Sequence, residues 1–139
     1  MQATNRTPDH SISRARLRSL VSQGIGELER YSRFVAGWDG YSGEPISPVA
    51  IARAECLVET LAEMKGSQQL IDIIPGPAPD GSLDVELRTE KRRLIVTIYP
   101  GNAPNDIEIR TFRTDSVTSE EKNDLGADAL VDDIRWLLA

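Results

Sequence analysis

The sequence predicts a single α+β domain: two N-terminal helices, then an antiparallel β-meander of three to four strands, then a C-terminal helix. Apolar residues recur every three or four positions near both ends of the chain, which is the helical period. In the middle of the chain they alternate with polar residues, which is typical of a sheet with one buried face. We expect the helices, including the C-terminal one, to pack on that single apolar face.

The first helix is predicted from about Ser11, after a polar tail at residues 1–10 that lacks periodicity and is expected to be disordered. The domain then covers residues 11–139. Gly24 and Gly26 interrupt the helix, so either it bends there or a neighbouring backbone approaches closely, and we favour the close approach. The apolar positions form a heptad seam of Leu17, Val21, Gly24, Leu28, Tyr31, Val35 and Trp38.

The second helix has clear start and stop signals. Ser47 is a favourable N-cap and Pro48 suits the first helical position, where its missing N–H is not needed. Ile46 and Ile51 have the spacing of a hydrophobic staple, and Gly66 predicts the end of the helix. The predicted buried face consists of Ala50, Ala54, Leu57, Val58, Leu61 and Met64.

The meander is predicted from three alternating runs, of which the first two can be aligned. If Glu90-Lys91 forms the loop between them, Leu87 faces Leu94, and the next pairs are Val85 with Val96 and Leu83 with Ile98. A four-residue loop shifted by two residues is the alternative. The third run contains Ile107 and Ile109.

The segments on either side of these runs are less regular. Residues 70–74 form either a short strand or a loop, and the prolines that follow at alternate positions require extended backbone. Asp80-Gly81 predicts a turn. Thr118 and Glu121 fit a capping box for the last helix, whose buried stripe is Ala127, Leu130, Val131, Ile134, Leu137 and Leu138.

Composition and charge exclude several classes of function. The net charge of −6 disfavours nucleic acid as the main partner, since binding to its phosphates depends on clustered Lys and Arg. No apolar run is long enough to span a membrane. The single cysteine, Cys56, is typical of a reducing cytoplasm, and His10 is the only histidine, so we expect neither a metal site nor a cofactor.

An enzyme is the first alternative. Asp80, Glu86 and Arg88 resemble the active-site residues of a nuclease in which two acids hold Mg²⁺ and a lysine polarises the phosphate. Here, however, both acids fall on one strand, arginine replaces the lysine, and the turn already accounts for Asp80. Asp84 and Glu86 share the outer face of the sheet, as charges on an exposed strand commonly do.

Two charged surfaces are candidate contacts for a partner. Glu55, Glu59 and Glu63 recur every four residues on the second helix and form either a solvated face or a docking surface for a basic partner. At the predicted hairpin tip, a possible basic patch for phosphate or an acidic partner comprises Arg88, Lys91, Arg92 and Arg93.

The stretch "GWDGYSGEPISP", residues 37–48, is the main candidate for partner binding. Trp38 continues the helical seam and is expected to be buried between the first two helices. Tyr41 falls between glycines and off any helical face, where an exposed aromatic is a typical binding anchor. Its acidic neighbours Asp39 and Glu44 are predicted to belong to the same contact.

This stretch, followed by "PGPAPDGSLDVEL", resembles a group of small bacterial and phage-borne proteins to which no activity is assigned. The resemblance covers about residues 28–99 and implies a common fold and a bacterial origin, but no catalytic residues. Ser42 stands where the group more often has glycine.

Together these features predict a cytoplasmic, non-catalytic module that binds another protein, as antitoxins and phage-encoded inhibitors do. A structural subunit that forms homo-oligomers, through the sheet edge or the first helix, is the second alternative.

Overall fold

A computed structural model describes residues 10–100, 107–115, 119–122 and 127–139. The predicted disordered tail lies outside these residues except for His10, which begins the first helix. Among the described residues, no helix is both long and apolar enough to cross a bilayer. The elements are α1 (His10–Tyr31), α2 (Pro48–Glu63), β1 (Asp72–Pro77), β2 (Leu83–Arg88), β3 (Arg93–Pro100), β4 (Ile107–Thr114), β5 (Ser119–Lys122) and α3 (Ala127–Leu138).

The strands form one antiparallel meander in the order β1-β2-β3-β4-β5. The register predicted for β2 and β3 is confirmed, with Val85 opposite Val96 and Leu87 opposite Leu94. The six inward Leu, Val and Ile residues of these two strands are each at most 1% exposed. Burying an aliphatic side chain of this size contributes roughly 1.5–3 kcal/mol relative to exposure, so this face dominates the core.

All three helices cover that inner face, which confirms the predicted α+β architecture. The buried side chains of the helices belong to the same hydrophobic cluster as those of β2 and β3. The predicted N-cap, first helical residue and glycine stop of α2 are also confirmed. The Ala50 N–H donates to Ser47 Oγ at 3.3 Å, Pro48 is the first helical residue, and Gly66 has a positive φ of 91° just after the helix.

The first helix is shorter than its seam predicts. It ends at Tyr31, and Val35 is 70% exposed, so the seam does not extend to Trp38. The close approach of another backbone that we favoured at Gly24 is not found, because the atoms nearest to this glycine belong to side chains. A Cβ on Gly24 would lie 3.3 Å from Ile73 Cγ2 of β1, whereas a Cβ on Gly26 would meet nothing within 4 Å.

The first strand begins and ends later than residues 70–74 and runs through Pro75 and Pro77. The Ala78 N–H donates to the Ser82 carbonyl, so alternate residues from Ala78 backward bond to β2. The backbone nitrogens of the two prolines therefore face the free edge of the sheet, where no N–H is needed for a hydrogen bond to a neighbouring strand. The Pro75 carbonyl there accepts a hydrogen bond from Tyr31 Oη at 3.2 Å.

The capping box predicted for the last helix is wrong. Glu121 lies in β5, whose residues pair with Thr111–Thr114 along the open edge of β4. An unpaired strand edge offers backbone partners that outweigh a local helical preference. Thr118 lies outside the described residues, and α3 begins at Ala127.

The two glycines of α1 supply a test of this packing. We expect Gly26→Ala to raise the free energy of unfolding by about 0.5–1 kcal/mol, because an exposed helical glycine only increases the entropy of the unfolded chain. The matched variant Gly24→Ala should bring no such gain, because its new methyl group presses on Ile73. Urea unfolding of both variants measures the difference. Equal stabilisation would contradict the close packing of α1 on β1.

Candidate functional site

The loop between α1 and α2 is held in one conformation by its own backbone. The Gly37 N–H donates to the Gly43 carbonyl at 2.8 Å, which closes the loop, and the Gly40 N–H donates to the Gly37 carbonyl at 3.0 Å. Gly37 and Gly40 have φ values of 79° and 82°, a region that glycine enters without strain. The glycines seen in the sequence thus form a compact turn.

Asp39 organises the centre of this turn. Its Oδ1 accepts hydrogen bonds from the backbone N–H groups of Tyr41 and Gly43, both at 2.9 Å. These bonds lower the pKa of the Asp39 carboxyl below its usual value, because they stabilise the charged form. A Cβ on Gly43 would lie 2.7 Å from Asp39 Oδ1, so only glycine fits beside the carboxylate. Asp39 therefore shapes the loop.

The loop is also tied to the turn between β1 and β2. That turn is closed by the Gly81 N–H, which donates to the Ala78 carbonyl, and Gly81 has a φ of 87°. The Glu44 N–H donates to the Pro79 carbonyl at 2.8 Å, and the Ser47 N–H donates to the Gly81 carbonyl at 3.1 Å. The two motifs that stand out in the sequence are therefore in direct contact.

Trp38 joins the loop to the end of α1 and is half-buried, which is less than the sequence predicts. Its ring stacks on Phe34 with centroids 4.9 Å apart, and Phe34 in turn packs on Tyr31 at 5.4 Å. The Trp38 Nε1–H donates to the Glu44 carbonyl at 2.7 Å. The indole thus spans the loop and keeps one side toward solvent.

Tyr41 projects from this rigid frame and is 88% exposed. Its backbone N–H is held by Asp39, while its hydroxyl makes no hydrogen bond within the described part of the chain. Val35, 70% exposed, belongs to the same connection between the helices. The third large apolar residue that is exposed among the described residues is Ile74, on β1. The loop therefore presents two of these three side chains to solvent.

The other residues predicted for partner binding do not all lie in this loop. The Glu44 side chain is exposed, three residues after Tyr41 in the chain, and the Glu44 backbone N–H and carbonyl are both hydrogen-bonded. Glu59 and Glu63 are exposed and Glu55 is half-buried on α2. The residues predicted for partner binding therefore lie in two elements, the loop and α2.

Three of the four basic residues predicted as a patch near the β2–β3 hairpin have partners within the fold, while Lys91 is exposed. Arg88 pairs with Asp72 at 3.4 Å, and Arg93 pairs with Glu86 at 3.3 Å. Arg92 lies over the Trp136 ring at 5.1 Å and donates to the Trp136 carbonyl. These contacts reduce the charge available to a phosphate group.

The carboxylates of the nuclease alternative have structural partners. Asp80 Oδ1 accepts hydrogen bonds from the Ser82 N–H at 3.0 Å and from Ser82 Oγ at 2.5 Å, which shapes the turn. Asp84 Oδ1 accepts from Thr97 Oγ1 at 2.6 Å, across the strands. Within the described ranges, no three acids, histidines or cysteines are grouped as a metal ion requires.

Asp133 is the polar residue that sequence reasoning missed. It lies in α3 with no exposed surface, and its Oδ2 accepts a hydrogen bond from Thr111 Oγ1 at 2.8 Å. Arg113 lies 3.5 Å from Asp133 Oδ1 and also 5.0 Å from the centre of the Trp136 ring. Thr111 and Arg113 follow Ile109 at every second position and therefore lie on the same inner face of β4. Continuing the alternation of this strand beyond Ile109 would have indicated that its inner face becomes polar. The group attaches α3 to the sheet.

Comparison of the chain with protein-family models, with curated proteins and with solved structures gave no match. The geometry of the loop is therefore the basis for the functional proposal.

The charge of Asp39 gives the loop a pH dependence. Because the folded-state pKa is lowered, the carboxylate stabilises the fold above its usual pKa of about 3.9, and this contribution is lost as the pH falls through the folded-state value. We expect Asp39→Asn, which keeps an oxygen acceptor, to melt below wild type at neutral pH. The two melting curves should converge in strong acid. A difference that is constant with pH would contradict the role assigned to the charge.

The two aromatic residues of the loop should differ in their effect on stability. Trp38→Ala removes a stacked and hydrogen-bonded ring, so we expect a loss of about 2 kcal/mol, less than for a fully buried tryptophan. Tyr41→Ala should change the free energy of unfolding by less than about 0.5 kcal/mol, because the side chain is solvated. Thermal or urea unfolding compares them. A large loss for Tyr41→Ala would mean that Tyr41 is a structural part of the joint.

Proposed function

We propose that this chain is a small, non-catalytic module that binds another protein through the loop around Tyr41. The observation that carries the proposal is an almost fully exposed tyrosine on a loop whose backbone is already ordered. An exposed side chain of this kind does not stabilise the free protein, so stability does not explain why an aromatic residue stands at this position. Tyrosine is enriched among the residues that dominate protein interfaces.

The order of the loop supports binding because it lowers the entropy lost on association. A partner that contacts a mobile loop must order it first, and each immobilised side chain costs roughly 0.5–1.5 kcal/mol. Here Asp39, the glycines and the bonds to Pro79 and Gly81 already hold the backbone. Tyr41 itself has only two side-chain torsions to restrict.

The charge near the loop favours a basic partner. The exposed Glu44 follows Tyr41 by three residues in the same loop, and the chain as a whole has a net charge of −6. A negative field of this kind speeds the approach of a positively charged protein and disfavours nucleic acid. These properties suit an inhibitor or antitoxin that covers a basic functional surface of another protein. The resemblance of the loop to bacterial and phage-borne proteins supports a bacterial cytoplasm as its setting.

The nuclease alternative receives less support. Its acids Asp80 and Glu86 are bonded to Ser82 and Arg93, respectively, and both bonds belong to the fold. We expect Asp80→Asn combined with Glu86→Gln, which removes both carboxylates but keeps the oxygen that shapes the turn, to leave the biological activity intact. Mg²⁺-dependent cleavage of nucleic acid that disappears in this double variant would overturn the non-catalytic proposal.

The binding proposal is tested by a matched pair of tyrosine variants. Affinity purification from the native host with wild-type protein identifies the partner, and the purified pair is then measured by calorimetry. Tyr41→Ala should weaken binding by up to about 2 kcal/mol, or roughly thirtyfold in Kd.

The control is Tyr99→Ala, because Tyr99 is a part-exposed tyrosine on the outer face of the sheet, where it packs on Arg110. This variant should bind as wild type does. Unchanged affinity of Tyr41→Ala would remove the loop from the interface.

A further inference from the structure

A cavity of about 530 Å³ lies where several distant parts of the chain meet. Arg16 of α1 lines one part of it, and Gln69 and Ile71, just before β1, line another. The loop between β2 and β3 contributes residues 89–92, and Ala139, after α3, also lines the cavity. Cavities that hold small ligands commonly measure roughly 300–1,000 Å³, so this one is large enough for such a molecule.

The side chains around this cavity are mostly cationic. Arg16, Lys91 and Arg92 are positively charged, and Glu90 is the one acidic side chain among the described lining residues. None of the ion pairs among the described residues joins these three cations to Glu90 or to any other acid. The cavity is therefore a local positive region on a chain whose net charge is −6.

Both guanidinium groups of the cavity are positioned by neutral acceptors. Arg16 Nη2 donates to the Gln68 carbonyl at 2.9 Å. Arg92 Nη1 donates to the Trp136 carbonyl, and the Arg92 guanidinium lies over the Trp136 ring at 5.1 Å. A carbonyl or a ring has no net charge, and a guanidinium has several N–H donors. Each group therefore keeps its positive charge and has donors left for an anion.

This set of residues differs from the basic patch that the sequence predicts. Arg88 and Arg93 belong to that patch, but each pairs with an acid of a neighbouring strand, which lowers the charge they offer to an anion. Lys91 and Arg92 instead line the cavity, where Arg16 joins them from a distant part of the sequence. The fold thus replaces a local run of basic residues by a cavity with cations from two elements.

We propose that this cavity binds the phosphate group of a small molecule. The planar forks of Arg16 and Arg92 match the paired oxygens of a phosphate, and the Lys91 ammonium adds a compact positive charge. Ile71, which is half-buried, offers an apolar contact to the rest of such a molecule. A small molecule suits the site better than nucleic acid, which requires an extended basic surface.

Titration of the protein with inorganic phosphate and with pyrophosphate tests the proposal. Two-dimensional NMR at constant ionic strength follows the backbone amides. The signals of Gln69, Glu90 and Lys91 should shift and saturate with both anions, whereas that of Tyr41 should not move. Acetate should bind at least about tenfold more weakly, because one carboxylate engages fewer cations than a phosphate does. Equal shifts with acetate, or no saturable shift with either phosphate, would overturn the proposal.

Two matched double variants relate binding to the cavity. Arg16→Gln with Lys91→Gln removes two charges from the lining and should raise the Kd for pyrophosphate at least about tenfold, because two charge-assisted contacts are lost. Arg88→Gln with Arg93→Gln removes the same charge outside the cavity and should change this Kd by less than about twofold, because salt screens more distant charges. An equal loss in both variants would mean that general charge attracts the anion, and would contradict the proposal.

Glu90→Gln should have the opposite effect. Without the carboxylate, the lining no longer repels the anion, and the Kd for pyrophosphate should fall about threefold. Weaker binding in this variant would argue against an anion in the cavity. Arg16, Lys91 and Glu90 are exposed, so all these cavity variants should unfold at the same urea concentration as wild type.

The site is independent of the function proposed for the Tyr41 loop. Arg16 lies about four helical turns before the end of α1, and the loop follows that end. Tyr41→Ala should therefore bind pyrophosphate as wild type does, so a failure of one proposal remains distinguishable from a failure of the other. Loss of pyrophosphate binding in Tyr41→Ala would place the anion at the loop and contradict the cavity.

Discussion

Burial of one face of the β2–β3 pair is the constraint on which the rest of the structure depends. Six aliphatic side chains from these strands are at most 1% exposed: Leu83, Val85, Leu87, Leu94, Val96 and Ile98. The opposite face carries ion pairs such as Arg93 with Glu86. Because only one face is apolar, all three helices must lie on the same side, and the order of the strands then decides which helix covers which strand.

The same constraint explains the polar contact at β4. The inner face continues from the aliphatic strands to Thr111 and Arg113, where an apolar helix would leave polar groups without partners. Asp133 of α3 meets both residues and so satisfies them. Removal of the Asp133 carboxylate would take a hydrogen-bond partner from the hydroxyl of Thr111, which is 2% exposed, and a buried polar contact of this kind fixes the orientation of a helix more than it adds net stability.

The candidate binding loop depends on the core indirectly, through the turn between β1 and β2. The sheet positions the turn that contains Pro79 and Gly81, and this turn holds the backbone at Glu44 and Ser47. Ser47 is also the N-cap of α2, so the helix, the loop and the hairpin are joined at one point. Tyr41 is therefore exposed without being loosely attached.

The sequence by itself determined the features that follow from local geometry. Period and turn chemistry predicted the three helices, the caps of α2 and the β2–β3 register, because each depends on neighbouring residues or on one strand pair. The exposure of Tyr41 also followed from its position between glycines.

Tertiary structure decided what depends on distant partners. Pro75 and Pro77 lie within a strand because that strand is at the edge of the sheet, and Glu121 joins a strand because β4 had a free edge. Burial of Asp133 and contact between the two glycine-rich turns depend on residues far apart in the chain, which no local pattern encodes.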